Sequence, residues 1–341
     1  MSGGAPLRVT MDEVARSAKV SRQTVSRVLH DNAYIAPGTR ERVRKAIEKL
    51  GYVPDAVARS LAHKRTYLVA AVLTEFAGYS RARILMHAEE EARARGYNVF
   101  ICGSLSSPKG EPLESPLLNS QKYEGVLILY RGSVDDRFAL FKQIHRDVPV
   151  VTLGYAPKMP QVRRIVLDDR GGAYRAVKLL LSSGRRTIAQ IAGPPGRFDT
   201  SGRMQGWREA LADFGIQAEE RLVRHAQWTP EAGYDQTCSL LNDYDGIDAI
   251  FAHSDLIAIG CLRALNEYGL KVPHDVAVVG FDNISIAALL TPSLTTVDQP
   301  FAEIGRTAMQ CLIARIEGGD VGKMSRAISA ELVIRESTTV S

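Results

Sequence analysis

The chain of 341 residues is 45% hydrophobic and 24% charged, a composition typical of globular proteins with two or three domains, which excludes a fibrous or disordered chain. Its formal charge of +5 is unevenly placed: residues 1–65 hold 13 Lys and Arg against 6 Asp and Glu, a net charge of +7, and the remainder carries −2. A basic head on a near-neutral body predicts a polyanionic partner for the head alone, although a solvated basic face would give the same charge pattern.

The sequence carries no signal for export or for a membrane. No N-terminal apolar segment has the length of a signal peptide, and no apolar run could cross a bilayer, so we expect a cytoplasmic protein without membrane contact. The four cysteines are far apart and lack C-x-x-C spacing, which predicts buried thiols in a reducing compartment.

Two short helices are predicted at the start of the head. Thr10 and Glu13 have the spacing of a capping box, which opens the first helix. Ser21 offers the cap of the second helix, so only Lys19 and Val20 remain for a tight turn. Short helices joined in this way predict a helix-turn-helix.

The second helix has one apolar and one polar side. Its apolar side contains Val25, Val28 and Leu29, and its open side contains Arg22, Gln23, Ser26 and Arg27. Arg and Gln near a helix N-terminus suit the edges of DNA bases because both side chains can form paired hydrogen bonds. Ser21 and Thr24 suit phosphates, helped by the helix dipole.

A third helix is predicted from about Pro37 to Leu50. Pro37 suits the first helical turn, and Gly51 suits the position that ends the helix. Ala36 would precede this helix, which leaves it without a side-chain cap.

Three segments of the head resemble the LacI/GalR-type family of bacterial transcriptional repressors, in order and in spacing. They are residues 9–15 (VTMDEVA), 20–29 (VSRQTVSRVL) and 51–61 (GYVPDAVARSL). The resemblance implies that residues 55–63 form a hinge that becomes helical on operator DNA. Leu61 would then enter the minor groove as an apolar wedge that kinks the duplex. The alternative is that Leu61 belongs to a linker helix and packs against the body of the protein.

Two residues depart from the family pattern. Asp55 and His30 stand where the family usually has Asn, which leaves operator sequence and affinity open but not the mode of binding. The DNA-contacting residues expected from the helix pattern and the resemblance together are Thr10, Ser21, Arg22, Gln23, Thr24, Ser26, Arg27, His30, Tyr34, Asp55, Ala58 and Leu61.

Apolar runs alternate with helical patterns after residue 66, which predicts a bilobed α/β protein with doubly wound parallel sheets. Strands are predicted at residues 68–73, 98–101, 126–129, 148–153, 188–192, 249–252, 276–281 and 294–297. Helices are predicted, among others, at residues 82–95, 173–183, 203–214, 256–268 and 301–316. The segment 103–121 is rich in Pro and Ser and is predicted to be a variable surface segment or a loosened helix.

Later segments resemble the sensor lobes of the same family, which have the type I periplasmic-binding-protein fold. They include Asp168-Asp169 with Gly171-Gly172, Arg203-x-x-Gly206-Trp207, residues 252–255 (AHSD), 279–282 (VGFD) and 294–299 (LTTVDQ). The expected domains are a head at 8–54, a hinge at 55–65 and a ligand-binding and dimerisation domain at 66–341. Within it, the N-lobe would comprise about 66–166 with 300–327, and the C-lobe about 167–299 with 328–341.

Ligands of open parallel sheets bind beyond the carboxyl ends of the strands. Asp282 directly follows a predicted strand and could accept hydrogen bonds from sugar hydroxyls, and Arg203 would oppose it with a fork of donors. Trp228 is expected to follow the end of a strand and offers a flat ring to a sugar face or a base. Each of these residues also has a structural alternative: Asp282 could cap a helix, Arg203 could form an ion pair at the surface, and Trp228 could belong to the core. The expected set is Phe76, Tyr79, Arg197, Arg203, Trp228, Ser254 and Asp282.

The sequence lacks enzyme motifs such as G-x-S-x-G, a Walker loop or H-E-x-x-H, and no metal or cofactor is expected. We therefore predict a dimeric, sugar- or sugar-phosphate-responsive repressor that binds pseudo-palindromic double-stranded operator DNA. A purine- or nucleoside-responsive corepressor-type regulator is one alternative. A cytoplasmic solute-binding protein with an accessory basic head is the alternative from another class.

Overall fold

A computed structural model describes residues 9–29, 35–52, 65–73, 79–103, 123–129, 141, 144, 146–154, 159, 161–319 and 327–339. The chain divides into two compact units, Met1–Thr66 and Tyr67–Ser341. The predicted segment 103–121 lies almost entirely outside the described residues.

Among its described residues, the first unit contains three helices: α1 (Met11–Ala18), α2 (Arg22–Leu29) and α3 (Pro37–Leu50). Both halves of the predicted capping box are present at Thr10, and Gly51 ends α3 with a positive φ of 62°. Ala36 makes no side-chain cap bond, as expected. The helices share one apolar core, which contains Val14, Val25 and Val43 at 0% exposure.

In the part of the second unit that the structure describes, the strands form two six-stranded sheets. The N-lobe sheet comprises β1 (Leu68–Leu73), β2 (Asn98–Gly103), β3 (Gly125–Ile128), β4 (Val150–Leu153), β5 (Val162–Leu167) and β11 (Ala327–Ile328), in the order β11-β5-β4-β3-β1-β2. The C-lobe sheet comprises β6 (Ile188–Ala192), β7 (Val223–His225), β8 (Ala249–Ala252), β9 (Ala277–Asp282), β10 (Thr295–Asp298) and β12 (Glu331–Val333), in the order β12-β10-β9-β8-β6-β7. All pairings are parallel except that of β10 with β12.

Helices cover the faces of both sheets. They are α4 (Tyr79–Ala94), α5 (Asp169–Ser182), α6 (Phe198–Asp213), α7 (Pro230–Asp243), α8 (Asp255–Glu267) and α9 (Phe301–Ile316), with short 3₁₀ helices at Glu220–Leu222 and Ser285–Leu289. In the C-lobe, strand residues alternate between two apolar clusters: Val278 belongs to the cluster beneath α8, and Val279 to the cluster beneath α5 and α6. This alternation is the pattern of a strand that is buried on both faces.

The chain passes from one lobe to the other after β5, after β10 and between β11 and β12. Consequently α9 packs on the N-lobe core although it follows a C-lobe strand. These crossings bring the two lobes together along a cleft that is built from distant parts of the sequence.

Three helix starts were predicted too late. The helix predicted at 82–95 begins at Tyr79, the one predicted at 173–183 begins at Asp169, and the one predicted at 203–214 begins at Phe198. The polar residues before these points left no apolar periodicity to mark the first turn. The strands β5, β11 and β12 were also missing from the prediction, because they are short or, in β5, carry two arginines.

All four cysteines are free. Cys102, Cys261 and Cys311 are buried, as predicted, whereas Cys238 on α7 is half-buried and departs from that prediction.

Candidate DNA-reading helix and ligand cleft

The predicted base-reading residues lie on the open side of α2. Arg22, Gln23 and Arg27 are exposed, whereas Val25 and Val28 are buried in the core of the head. Arg22 Nη1 lies 3.8 Å from Asp12 Oδ2, but both side chains are more than half exposed, so water and salt screen this pair. The donors of α2 are therefore accessible to a polyanion.

The hydroxyls predicted to meet phosphates also hold the helix starts. Ser21 Oγ accepts the Thr24 amide at 3.1 Å and lies 2.9 Å from Thr24 Oγ1. The Thr10 amide donates to Glu13 Oε2 at 2.7 Å, and the Glu13 amide donates back to Thr10 Oγ1 at 3.4 Å. Of the other predicted DNA contacts, Ser26 is half-buried on α2. His30, Tyr34, Asp55, Ala58 and Leu61 lie outside the described residues, as does Phe76 of the predicted ligand site.

Six predicted ligand residues line one cavity of about 210 Å³ in the second unit. Trp228 follows β7, Ser254 follows β8 and Asp282 ends β9, so each stands at the carboxyl end of a parallel strand. Arg197 and Arg203 lie at the start of α6, after β6, and Tyr79 comes from the N-lobe at the start of α4. The topology thus gathers at one place residues that are separated by up to 203 positions.

Several lining residues were missed by the sequence reasoning, namely Ser80, Arg81, Asp199, Gln227, Thr229, Leu256 and Ile284. Arg81 and Asp199 lie in the first turns of two helices whose starts were misplaced. Asp199 is four positions before Arg203, a spacing that places two side chains on one helix face and could have revealed it. Asp199 is 3% exposed, so the cavity holds a second acid.

Arg203 is the most buried charge of the cavity, at 1% exposure. Its Nε and Nη2 donate to Asp169 Oδ1 at 2.9 and 2.8 Å, and Nη1 donates to the carbonyl of His253. The guanidinium lies 3.7 Å from the centroid of the Phe281 ring. Nη2 is 3.8 Å from Asp282 Oδ1, so Arg203 and Asp282 face each other as predicted.

The packing of α6 explains the motif that begins with Arg203. Gly206 permits close approach to α5, because a Cβ there would lie 2.2 Å from the Arg170 carbonyl oxygen. Trp207 is fully buried, and its Nε1 donates to the Ile188 carbonyl at 3.1 Å. These two residues anchor α6 to the C-lobe and thereby direct Arg203 to the cleft.

An aromatic ring and a second ion pair complete the wall of the cavity. The guanidinium carbons of Arg197 and Arg203 lie 5.6 and 5.8 Å from the centroid of the Trp228 ring. Arg197 Nε donates to Asp199 Oδ1 at 3.4 Å. A flat ring beside paired charges can stack on one face of a ligand while polar groups bind its edge.

Ser254 and its neighbours form a buried polar layer behind the cavity. Ser254 Oγ accepts the Ile257 amide at 3.2 Å and caps α8, a structural role that accompanies its position in the cavity wall. Burial raises the pKa of Asp255 to about 8. Burial also holds the pKa of His253 well below its ordinary value, and this neutral ring accepts the Gly193 amide and donates to Gln190.

A second cavity of about 500 Å³ adjoins the first. Arg197 and Asp199 line both, and Phe198, Arg164 and Gly154 line the second alone. The cleft therefore extends beyond the volume that Trp228 and Asp282 enclose.

Within the described part of the chain, no helix is long and apolar enough to cross a membrane. Over the same residues, no three His, Cys, Asp or Glu side chains are grouped as metal ligands.

A helix-turn-helix head followed by two lobes with a polar cleft defines a DNA-binding transcriptional regulator with a periplasmic-binding-protein-like domain. Residues 10–55 match the model of the bacterial regulatory proteins of the lacI family, and residues 177–338 match the periplasmic binding protein-like domain. The chain is 36% identical over 337 residues to the HTH-type transcriptional regulator CelR of Thermobifida fusca, covering 97% of this chain and 98% of that protein.

Two solved structures show the same similarity over the whole chain. A CelR–cellobiose complex is 34% identical, with a TM-score of 0.73 over 97% of this chain and 100% of that one. A lac repressor dimer bound to operator and the anti-inducer ONPF is 28% identical, with a TM-score of 0.82 over 98% and 100%. The protein belongs to the lacI family of bacterial regulatory proteins.

Proposed function

We propose that this protein is a dimeric repressor of a sugar-utilisation operon, released from or held on its operator by a carbohydrate bound in the cleft. The observation that carries the proposal is the meeting of Asp282, Arg203 and Trp228 in one cavity. A carboxylate accepts hydroxyl hydrogen bonds, a guanidinium donates to ring and hydroxyl oxygens, and an aromatic ring covers the apolar face of a sugar.

The charges of the cavity favour an uncharged sugar over a sugar phosphate. Arg203 is paired with Asp169, and Arg197 with Asp199, so both of these arginines already have a carboxylate. A phosphate would have to compete with these carboxylates for the guanidinium donors. The similarity to the CelR–cellobiose complex supports a carbohydrate on separate grounds.

The head would read operator DNA through α2, with the hinge at 55–63 ordered on the duplex as the family resemblance implies. The similarity to an operator-bound lac repressor dimer supports this partner. We propose the cytoplasm as the compartment because chromosomal DNA is there. Because the relatives are transcriptional regulators, we propose that the cavity binds its ligand without catalysing a reaction.

A second copy of the chain is the partner that best fits the exposed apolar side chains. Leu289 is 81% exposed and Ile286 48% on the 3₁₀ helix of the C-lobe, and Met86 and Ile101 are exposed on α4 and on the edge strand β2. Met86 and Ile101 line one pocket and therefore lie close together, and contiguous exposed apolar patches mark interfaces. In a symmetric dimer the two heads would read two half-sites about one helical turn apart.

Fluorescence anisotropy of DNA from upstream of the protein's own gene tests the proposal. The full-length protein is titrated at physiological salt, alone and with cellobiose, other sugars, sugar phosphates and nucleobases. We expect specific binding that one sugar changes by at least about tenfold, the range of ordinary allosteric coupling. A response only to a nucleobase would support the purine alternative. Binding no tighter than to random DNA would exclude self-regulation and direct the search to other promoters.

A further inference from the structure

The cavity floor ends in a turn with a strained backbone. Asp282 and Asn283 have φ angles of 108° and 51°, in the left-handed region that non-glycine residues rarely adopt. Such a conformation persists only where the surrounding structure holds it. Whatever holds this turn also aims the Asp282 carboxylate.

The turn is held by the bond from Gln299 Nε2 to Asp282 Oδ1 at 2.8 Å, by a bond between the side chains of Asn283 and Asp298, and by four further hydrogen bonds outside the cavity. Arg335 Nη2 donates to Asn283 Oδ1 at 2.8 Å, and the Asn283 amide donates to Thr296 Oγ1 at 3.3 Å. The Ile284 amide donates to Asp255 Oδ2 at 2.8 Å, and Thr296 Oγ1 donates to Asp255 Oδ1 at 2.5 Å. Three of these four bonds join groups inside the C-lobe core, whereas the bond from Arg335 holds the Asn283 side chain, as the bond with Asp298 also does.

Arg335 is itself fixed in place at the start of the C-terminal segment. Its Nη1 donates to the Leu294 carbonyl at 2.7 Å, and its amide donates to Thr295 Oγ1 at 2.8 Å. The next residue, Glu336, accepts the Ser293 amide at 2.8 Å. Because these bonds fix the position of Arg335, its side chain can determine where the Asn283 side chain lies.

We propose that Arg335 is a positioning residue for ligand binding. It holds Asn283, keeps Asp282 directed at the cavity, and thereby sets ligand affinity without lining the cavity. The inference rests on the proposed function, in which Asp282 binds the sugar. Because Asp255 and Thr296 hold the same turn independently, loss of Arg335 weakens ligand binding and leaves the fold and operator binding intact.

A double-mutant cycle between Arg335 and Asn283 tests the inference. Glycine adopts positive φ at little cost, so Asn283→Gly keeps the turn while removing the group that Arg335 holds. We expect Arg335→Ala to weaken cellobiose binding by about tenfold in the native background and by less than about twofold beside Asn283→Gly. Calorimetry on the full-length protein gives the affinities, and Asp282→Asn serves as the benchmark for a lost ligand contact.

Arg185→Ala is the matched control. Arg185 also donates to backbone carbonyls of the C-lobe, those of His274 and Asp275, at 3.2 Å, but does not touch the turn. We expect cellobiose affinity within about twofold of wild type, and operator affinity without sugar the same in all variants.

The outcomes separate this inference from the proposed function. If Arg335→Ala binds cellobiose with native affinity while Asp282→Asn binds it more weakly, the inference is overturned and the proposed function stands. The same holds if Arg335→Ala lowers cellobiose affinity equally in the native and the Asn283→Gly backgrounds. Native affinity in Asp282→Asn overturns the proposed cavity.

If the wild type binds no sugar, the proposed function fails, and amide hydrogen exchange then decides the inference. We expect faster exchange at Asn283 and Ile284 in Arg335→Ala than in wild type or Arg185→Ala. Equal exchange in all three overturns the inference.

Discussion

Arg203 donates from both Nε and Nη2 to a single carboxylate oxygen of Asp169, at 2.9 and 2.8 Å. Asp169 is the first residue of α5, directly after the chain crosses from the N-lobe, and Arg203 lines the cavity at the carboxyl ends of the C-lobe strands. Among the described residues, Asp169 and His253 accept from three of the five guanidinium donors. This pair therefore links the proposed ligand cavity to the segment that joins the lobes.

Arg203→Lys should abolish most of the sugar response. A lysine ammonium cannot reproduce the fork that binds Asp169 and faces Asp282, so we expect sugar affinity to fall by at least about tenfold. Operator affinity without sugar should be unchanged, as measured by anisotropy. Arg208→Lys is the control, because Arg208 lies on the same helix and pairs with Glu220 at the surface. A normal sugar response in Arg203→Lys would remove this residue from the site.

Arg22→Ala should weaken operator binding without changing sugar affinity. Arg22 is exposed near the start of α2, and loss of a paired contact to a base costs about 1–3 kcal/mol. Lys45→Ala on α3 is the control, since Lys45 pairs with Glu41 in the solvent. Competition with operator variants gives the readout. If Arg22→Ala and Lys45→Ala lower DNA affinity equally, and to the same extent on every operator variant, Arg22 contributes only its charge.

Leu289→Lys should produce a monomer that binds the operator weakly. Leu289 is 81% exposed, and a charge placed there cannot be buried between two copies of the chain. Phe214→Lys is the control, because Phe214 ends α6, on the opposite face of the C-lobe sheet, and is also exposed. Sedimentation equilibrium measures the association. A Leu289→Lys protein that remains dimeric would place the interface elsewhere.

Asp255→Asn should change how stability depends on pH. The pKa of Asp255 is raised by burial from 3.8 to about 8, so between these values the folded protein binds a proton that the unfolded chain releases. The unfolding free energy of the wild type therefore falls as pH rises through this window. Asparagine does not titrate in this range. The free energy of unfolding of the variant, relative to that of the wild type, should therefore increase from pH 5 to pH 7.5.

Urea unfolding at several pH values gives this difference. The lowered pKa of His253 acts in the opposite direction below its ordinary value of 6.5, but it is present in both proteins and cancels in the comparison. Parallel stability profiles would mean that Asp255 is ionised in the folded state.

The sequence predicted those parts of the site that local pattern determines. Asp282 was found because it follows a buried apolar strand, and α2 because its caps and apolar spacing are strong. Asp199 and Arg81 were missed because the first turns of their helices carry no apolar stripe. The sequence predicted the individual strands but not their order in the sheet. Parallel pairing places their carboxyl ends side by side, and six predicted residues therefore meet in one cavity.

Contacts between distant segments were beyond local pattern. Asp169 and Gln299 lie in motifs of the family resemblance, but their bonds to Arg203 and Asp282 depend on how the chain crosses between the lobes. Arg335 and Asn283 are separated by 52 positions and meet only because β12 pairs with β10. No periodicity in the sequence encodes such a pair.

The coupling between ligand and DNA can be measured most directly as the affinity of the selected sugar for the protein with and without saturating operator. Binding in the cleft and binding by the head must affect each other by the same factor, because linkage is reciprocal. We predict that operator changes sugar affinity by the factor by which sugar changes operator affinity. Equal sugar affinity with and without operator would contradict control of the head by the cleft.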